Sequence, residues 1–155
     1  MNDTRSQAEE IRAAFARHQV RYLFLGRSGA ILLGYPETTE DCDLFLEKSP
    51  QNGAAAVAAL GELGFSLRAD QEAEIRQCSF FIPLHDGPFA IDVNFDPQGI
   101  ESFEQAWERH VEVEGIFVCH PDDLVASKMA ANRTKDREEL PRLQAFRDSW
   151  LKSRR

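Results

Sequence analysis

Two periods of apolar residues organise this chain. Between Ser6 and His18 the apolar positions Ile11, Ala14 and Phe15 share one face of a helix. Tyr22 to Leu25 is a short unbroken apolar run ending at Gly26, the signature of a buried strand. Ser28 to Gly34 then predicts a helix that Gly34 stops and Pro36 keeps from continuing. From Asp41 to Glu47 the period drops to two, so Cys42, Leu44 and Leu46 can pack on one face of a strand while Asp41 and Asp43 point the other way. The Ala-rich stretch Gln51 to Leu63 predicts a helix closed by Gly64.

Strand-like segments follow at Phe65 to Arg68, Cys78 to Leu84 and Phe89 to Phe95, and His85-Asp86-Gly87-Pro88 between the last two reads as a hairpin turn. A helix near Ser102 to Glu108 precedes a strand near Ile116 to Cys119. Pro121, with Asp122 and Asp123 in the first turn, opens a helix to about Asn132. Thr134 caps a last helix, in which Pro141 either makes a kink or starts a new segment. Without repeats or low-complexity linkers, the pattern predicts one domain over residues 1–155 with C-terminal helices from about 121. Its fold class is α/β (α+β), a mixed β-sheet flanked by helices.

Composition narrows the classes of function. At 155 residues, 43% apolar and 28% charged, the chain has the balance of a globular protein that buries a core. No apolar run is long enough to span a bilayer and the polar, acidic beginning is unlike a secretory signal, so the expected location is cytoplasmic, with no membrane partner. Cys42, Cys78 and Cys119 are widely spaced and odd in number, which predicts reduced, mostly buried thiols rather than a disulfide framework. A net charge of −8 argues against nonspecific duplex DNA binding. The cations from Lys128 onward read most simply as a solvated helical face paired with interspersed acids.

The candidate chemistry begins at Gly26-Arg27-Ser28-Gly29 and Asp41-Cys42-Asp43. Carboxylates one residue apart on a strand converge, and their repulsion raises a pKa unless a hard divalent ion lies between them. In Ala90-Ile91-Asp92-Val93-Asn94-Phe95, alternation places Asp92 and Asn94 opposite the apolar face. On a strand neighbouring Asp41 and Asp43, Asp92 completes a set of acids able to hold two metal ions for an in-line displacement. On its own, Asp92 reads more readily as a strand-edge acid satisfied by a backbone donor or a nearby Arg.

These residues resemble the DNA polymerase beta-like nucleotidyltransferases, in particular the minimal bacterial branch that includes nucleotidyltransferase-like toxins. The branch pattern is Gly-Gly-x-Ala after an apolar strand, then Gly-x-Pro-Arg-x-Thr-x-Asp-x-Asp, a later strand Asp, and a downstream Lys with Arg-x-x-Asp. Leu25-Gly26-Arg27-Ser28-Gly29, Gly34 to Asp43, Ile91-Asp92-Val93, and Ser127-Lys128 with Arg133 to Asp136 stand in that order, spanning Tyr22 to about Leu140. The resemblance implies the nucleotidyltransferase fold and transfer of a nucleoside monophosphate from an NTP to an acceptor hydroxyl. Asp41, Asp43 and Asp92 would be catalytic and hold Mg²⁺ (or Mn²⁺). Gly26, Arg27, Ser28 and Lys128 would bind the nucleotide, and Arg133 with Asp136 would steady the C-terminal helices. The acceptor is left open among RNA, a protein and a small molecule, and a homodimer or a partner protein is an expected way to complete its pocket.

Two positions depart from the pattern. Arg27 replaces the second glycine, where a side chain either obstructs the phosphates or supplies them a new cation. Glu37 replaces the Arg after Pro and adds negative charge near a negative substrate. Both keep open a catalytically inactive nucleotide- or partner-binding domain of the same fold, or an antitoxin-type interaction protein. Other sites are disfavoured: His18, His85, His110 and His120 lack metal-ligand spacing, and Leu44-Phe45 after Asp43 is unlike a haloacid-dehalogenase phosphatase. Trp107, Trp150 and the Phe residues read as core, although an exposed aromatic at the sheet rim could stack a base.

Overall fold

A computed structural model describes residues 3–154. The first helix α1 (Thr4–Arg17) starts where the Asp3 carboxylate accepts from the Ser6 amide, and it buries Ala8, Ile11, Ala14 and Phe15. The strand β1 (Tyr22–Leu25) runs directly into the short α2 (Gly26–Leu32), and β2 (Asp41–Leu46) returns antiparallel to β1. Next come α3 (Pro50–Glu62), capped by Ser49, and α4 (Ala69–Arg76). The hairpin β3 (Phe81–Leu84) and β4 (Ala90–Asn94) follows, then α5 (Phe103–Arg109) and the hairpin β5 (Val111–Val113) and β6 (Ile116–Val118). Helices α6 (Pro121–Ala131) and α7 (Thr134–Ser153) end the chain.

The strands form one mixed sheet in the order β3-β4-β2-β1-β6-β5. Pairing is parallel for β2 with β4 and for β1 with β6, and antiparallel elsewhere. One face carries Cys42, Leu44, Leu46, Ile82, Leu84, Ile91 and Val93 against α1 and α3. The other buries Leu23, Leu25, Phe45 and Cys119 against α5, α6 and α7. This second core draws nothing from β3 or β4, so Asp92, Asn94 and the exposed Phe81 face an uncovered end of the sheet. All three cysteines are free and buried. Among the described residues no helix is long and apolar enough to cross a membrane.

Three elements differ from the sequence expectation. Residues 65–68 join no strand ladder, and Phe65 is turned into the core, so alternation marked which side chains are buried and not a ladder. The following α4 was missed because Ile75 is its only large apolar residue; it packs closely on α3, where a Cβ at Gly53 would stand 2.6 Å from the Ile75 carbonyl. The β5–β6 hairpin was missed because Glu114-Gly115 takes positive φ at both positions (51° and 82°), a turn usually signalled by Asn-Gly. Pro141 interrupts nothing: it is exposed within a continuous α7 whose Leu143 is buried in the second core. The ring removes one intrahelical hydrogen bond, a loss that burial of Leu143 in the second core helps to offset.

Candidate active site

The uncovered end of the sheet and the α2, α6 and α7 wall enclose a cavity of about 720 Å³, within the usual range of small-molecule sites. Its floor is acidic. Asp41 and Asp43 share a face of β2 by their spacing, and the parallel register sets Asp43 directly beside Asp92 on β4. Asp41, Asp43 and Asp92 all line the cavity. Burial, then the charges of Asp92 and Asp41, push the Asp43 carboxyl up from 3.8 to about 7. The Lys128 charge offsets this only in part, and an all-oxygen donor set of this kind fits a hard divalent ion.

Gly26 makes this crowding possible. It follows Leu25, the register partner of Asp43, and turns the chain with φ +61°. A Cβ there would lie 2.1 Å from the Asp43 Oδ2, so the loop closes on the carboxylate only because position 26 has no side chain.

Ser28 occupies a different place from the one expected of a nucleotide ligand. Fully buried and outside the cavity lining, its hydroxyl donates to the Leu25 carbonyl (3.0 Å) and accepts from the Asp43 amide (2.9 Å). Both capacities are used in tying the end of β1 to β2. Its action on the site runs through the position of Asp43.

The opposite wall is basic. Arg27, Lys128, Arg133 and Lys135 all border the cavity. The Lys128 ammonium, with its side chain only 13% exposed, meets Glu139 at 2.7 Å and Asp136 at 3.5 Å. Arg27 pairs with the same Glu139 at 2.8 Å and donates to the Thr38 carbonyl at 3.1 Å. Burial drives the Glu139 carboxyl up, but Lys128 and Arg27 together outweigh it and hold the group below its ordinary value. Asp136 behaves likewise: burial opposes ionisation, and Arg133, bonded at 2.7 Å, and Lys128 restore it. Arg27 thus sits at the cavity edge on a tether. Glu37 turns away from the cavity lining and pairs with Arg142 on α7, so its negative charge is directed elsewhere.

Four residues not assigned to the site by number in the sequence pattern, His85, Glu139, Phe80 and Phe81, also contribute. His85, set aside for want of ligand spacing, places Nε2 at 2.8 Å from the Asp92 Oδ1. Candidate ligand atoms of Asp41, His85 and Asp92 all lie within 4.8 Å of one another. The available signal was the hairpin itself: Pro83 opposes Asp92, and residue 85 shares the face of residue 83. Glu139 lies one helical turn beyond Asp136, a spacing that could have marked it as a second partner for Lys128. Phe80 and Phe81, 54% and 46% exposed, line the same cavity beside the acids. A scan against protein-family models finds no match to the chain, and a search of curated proteins finds none either.

Proposed function

We propose that the chain is a metal-dependent nucleotidyltransferase of the DNA polymerase beta-like type, moving a nucleoside monophosphate from an NTP to an acceptor hydroxyl. One observation carries this reading: an acidic floor of Asp41, Asp43 and Asp92 faces a basic wall of Arg27, Lys128 and Arg133 across one cavity. A triphosphate bound to divalent ions has matching polarity, with its cations toward the carboxylates and its phosphate oxygens toward the lysine and arginine. Mg²⁺ or Mn²⁺ held by Asp41, Asp43 and Asp92 would supply charge neutralisation at the reacting phosphate.

The chain's own residues do the rest. Gly26 and Ser28 fix Asp43 against β1, so the carboxylate is in place before substrate arrives. Lys128 and Arg27 offer charge to the phosphates, and Phe80 and Phe81 offer apolar faces to the base. The acceptor oxygen bonds to the α-phosphorus as the bond to the pyrophosphate oxygen breaks. Asp92, on β4 beside the edge strand β3, would take the acceptor's proton or organise the metal near it.

A second reading is favoured by the tether on the cations. Because Glu139 engages both Lys128 and Arg27, the fold also suits a domain that binds nucleotide without turning it over. Label transfer from α-labelled NTPs to RNA, protein and small-molecule acceptors separates the two. Transfer that disappears in Asp43→Asn and Asp92→Asn supports the enzyme. Mg²⁺-dependent NTP stabilisation without transfer supports the silent domain, and no stabilisation at saturating Mg²⁺-NTP overturns both.

A further inference from the structure

We propose that His85 is a metal ligand, so that the ion nearest β3 is held by a mixed oxygen and nitrogen set of Asp41, His85 and Asp92. This rests on reading the cavity as a metal-dependent site, and it changes which ion the site selects. Carboxylates alone suit Mg²⁺, whereas an imidazole shifts preference toward first-row transition ions.

The placement follows from the sheet. Antiparallel pairing sets Pro83 opposite Asp92 and Leu84 opposite Ile91, so His85 follows Pro83 on the open face at the strand end. Leu84 goes into the core and anchors the residue before it leaves the ladder. The imidazole is half exposed and its Nε2 already lies 2.8 Å from the Asp92 Oδ1. Two ligand atoms each about 2.1 Å from one ion are separated by about 3 to 4.2 Å. The atoms of Asp41, His85 and Asp92, all within 4.8 Å of one another, need only small side-chain adjustments to reach that geometry.

Charge argues in the same direction. The floor already holds three like charges, Asp41, Asp43 and Asp92, in one cavity. A neutral imidazole adds a ligand without adding another negative charge, which a fourth carboxylate at position 85 would do. Nε2 binds the ion through its lone pair, which requires the proton to reside on Nδ1.

The test uses Mn²⁺ and Mg²⁺ on the full chain. Mn²⁺ binding is followed by electron paramagnetic resonance, and electron spin-echo modulation reads nitrogen coupling to the bound ion. The wild type is expected to bind Mn²⁺ with a nitrogen coupling and more tightly than Mg²⁺. In His85→Gln the coupling disappears and Mn²⁺ affinity falls by about tenfold or more, while Mg²⁺ affinity changes by less than about threefold. Bound Mn²⁺ without nitrogen coupling, or coupling that survives His85→Gln, overturns the role of His85 and leaves the carboxylate site standing. Mn²⁺ binding that is absent, or unaffected by both Asp43→Asn and Asp92→Asn, overturns the carboxylate site and this assignment together. Circular dichroism of each variant confirms that the half-exposed position tolerates the change.

Discussion

Asp43 and Asp92 stand side by side as register partners on the parallel strands β2 and β4. Residues paired in this way share a sheet face, so two carboxylates are pressed together by the backbone ladder itself. The fold stores that repulsion at the floor of the cavity.

The first consequence is a pH-dependent stability. The native state holds the Asp43 proton up to about pH 7, whereas an unfolded Asp releases it near 3.8. Between those values the native state binds more protons than the unfolded one, so stability of the metal-free protein falls as pH rises from about 4 to about 7 and then levels. Thermal melts with a chelator should show this slope, and Asp43→Asn should flatten it. Saturating Mn²⁺ should raise the melting temperature most at the alkaline end. An unchanged slope in Asp43→Asn would assign the dependence to another group.

Gly26→Ala places a methyl group on the Asp43 carboxylate and forces a side chain to adopt positive φ. The expected cost is about 1–3 kcal/mol of stability. Metal affinity, read by calorimetry, should fall by about tenfold or more because the carboxylate must move. Retention of both values would show that the loop relaxes without disturbing the acids.

Ser28→Ala tests positioning against direct binding. Loss of a buried hydroxyl leaves the Asp43 amide and the Leu25 carbonyl without that partner, which should cost about 1–3 kcal/mol in denaturant unfolding. NTP affinity at saturating metal should change by less than about threefold, since the hydroxyl is outside the cavity lining. A large loss of NTP affinity with stability intact would place Ser28 on the phosphates after all.

Glu139→Gln should separate stability from binding. Its carboxylate engages Lys128, Arg27 and the Tyr35 hydroxyl, so the neutral variant should melt lower. Both cations are then less occupied, and Mg²⁺-NTP affinity should increase by a few-fold in equilibrium binding. Weaker NTP binding would mean that Glu139 holds the cations in a productive position rather than competing with phosphate.

Phe81→Ala removes an exposed aromatic from an edge strand, so the fold should lose little. If the ring carries the base, NTP affinity should drop by about 1–3 kcal/mol in a binding titration. An effect confined to the acceptor would move the ring to the other half of the reaction.

Much of this organisation was already present in the order of residues. Apolar alternation from Asp41 to Leu46 and from Ala90 to Asn94 fixed which side chains face the core, because a strand has period two whatever surrounds it. By the same rule Asp41, Asp43 and Asp92 had to lie opposite the buried face of their strands. The Arg133–Asp136 pair was legible because three residues separate a helix cap from the third helical position, here Arg133 and Asp136 at the start of α7. Strand order, however, is long-range: only the sheet decided that β2 neighbours β4 and that Asp43 meets Asp92. Only packing decided that Ser28 would be buried, that Glu37 would turn to Arg142, and that Glu139 would collect Lys128 and Arg27. His85 joined the acids through a hairpin whose turn its sequence marks but whose register, and whose place beside β2, only the sheet set. Local periodicity sets the face on which a side chain lies, whereas its neighbours on that face depend on contacts between segments far apart in the chain.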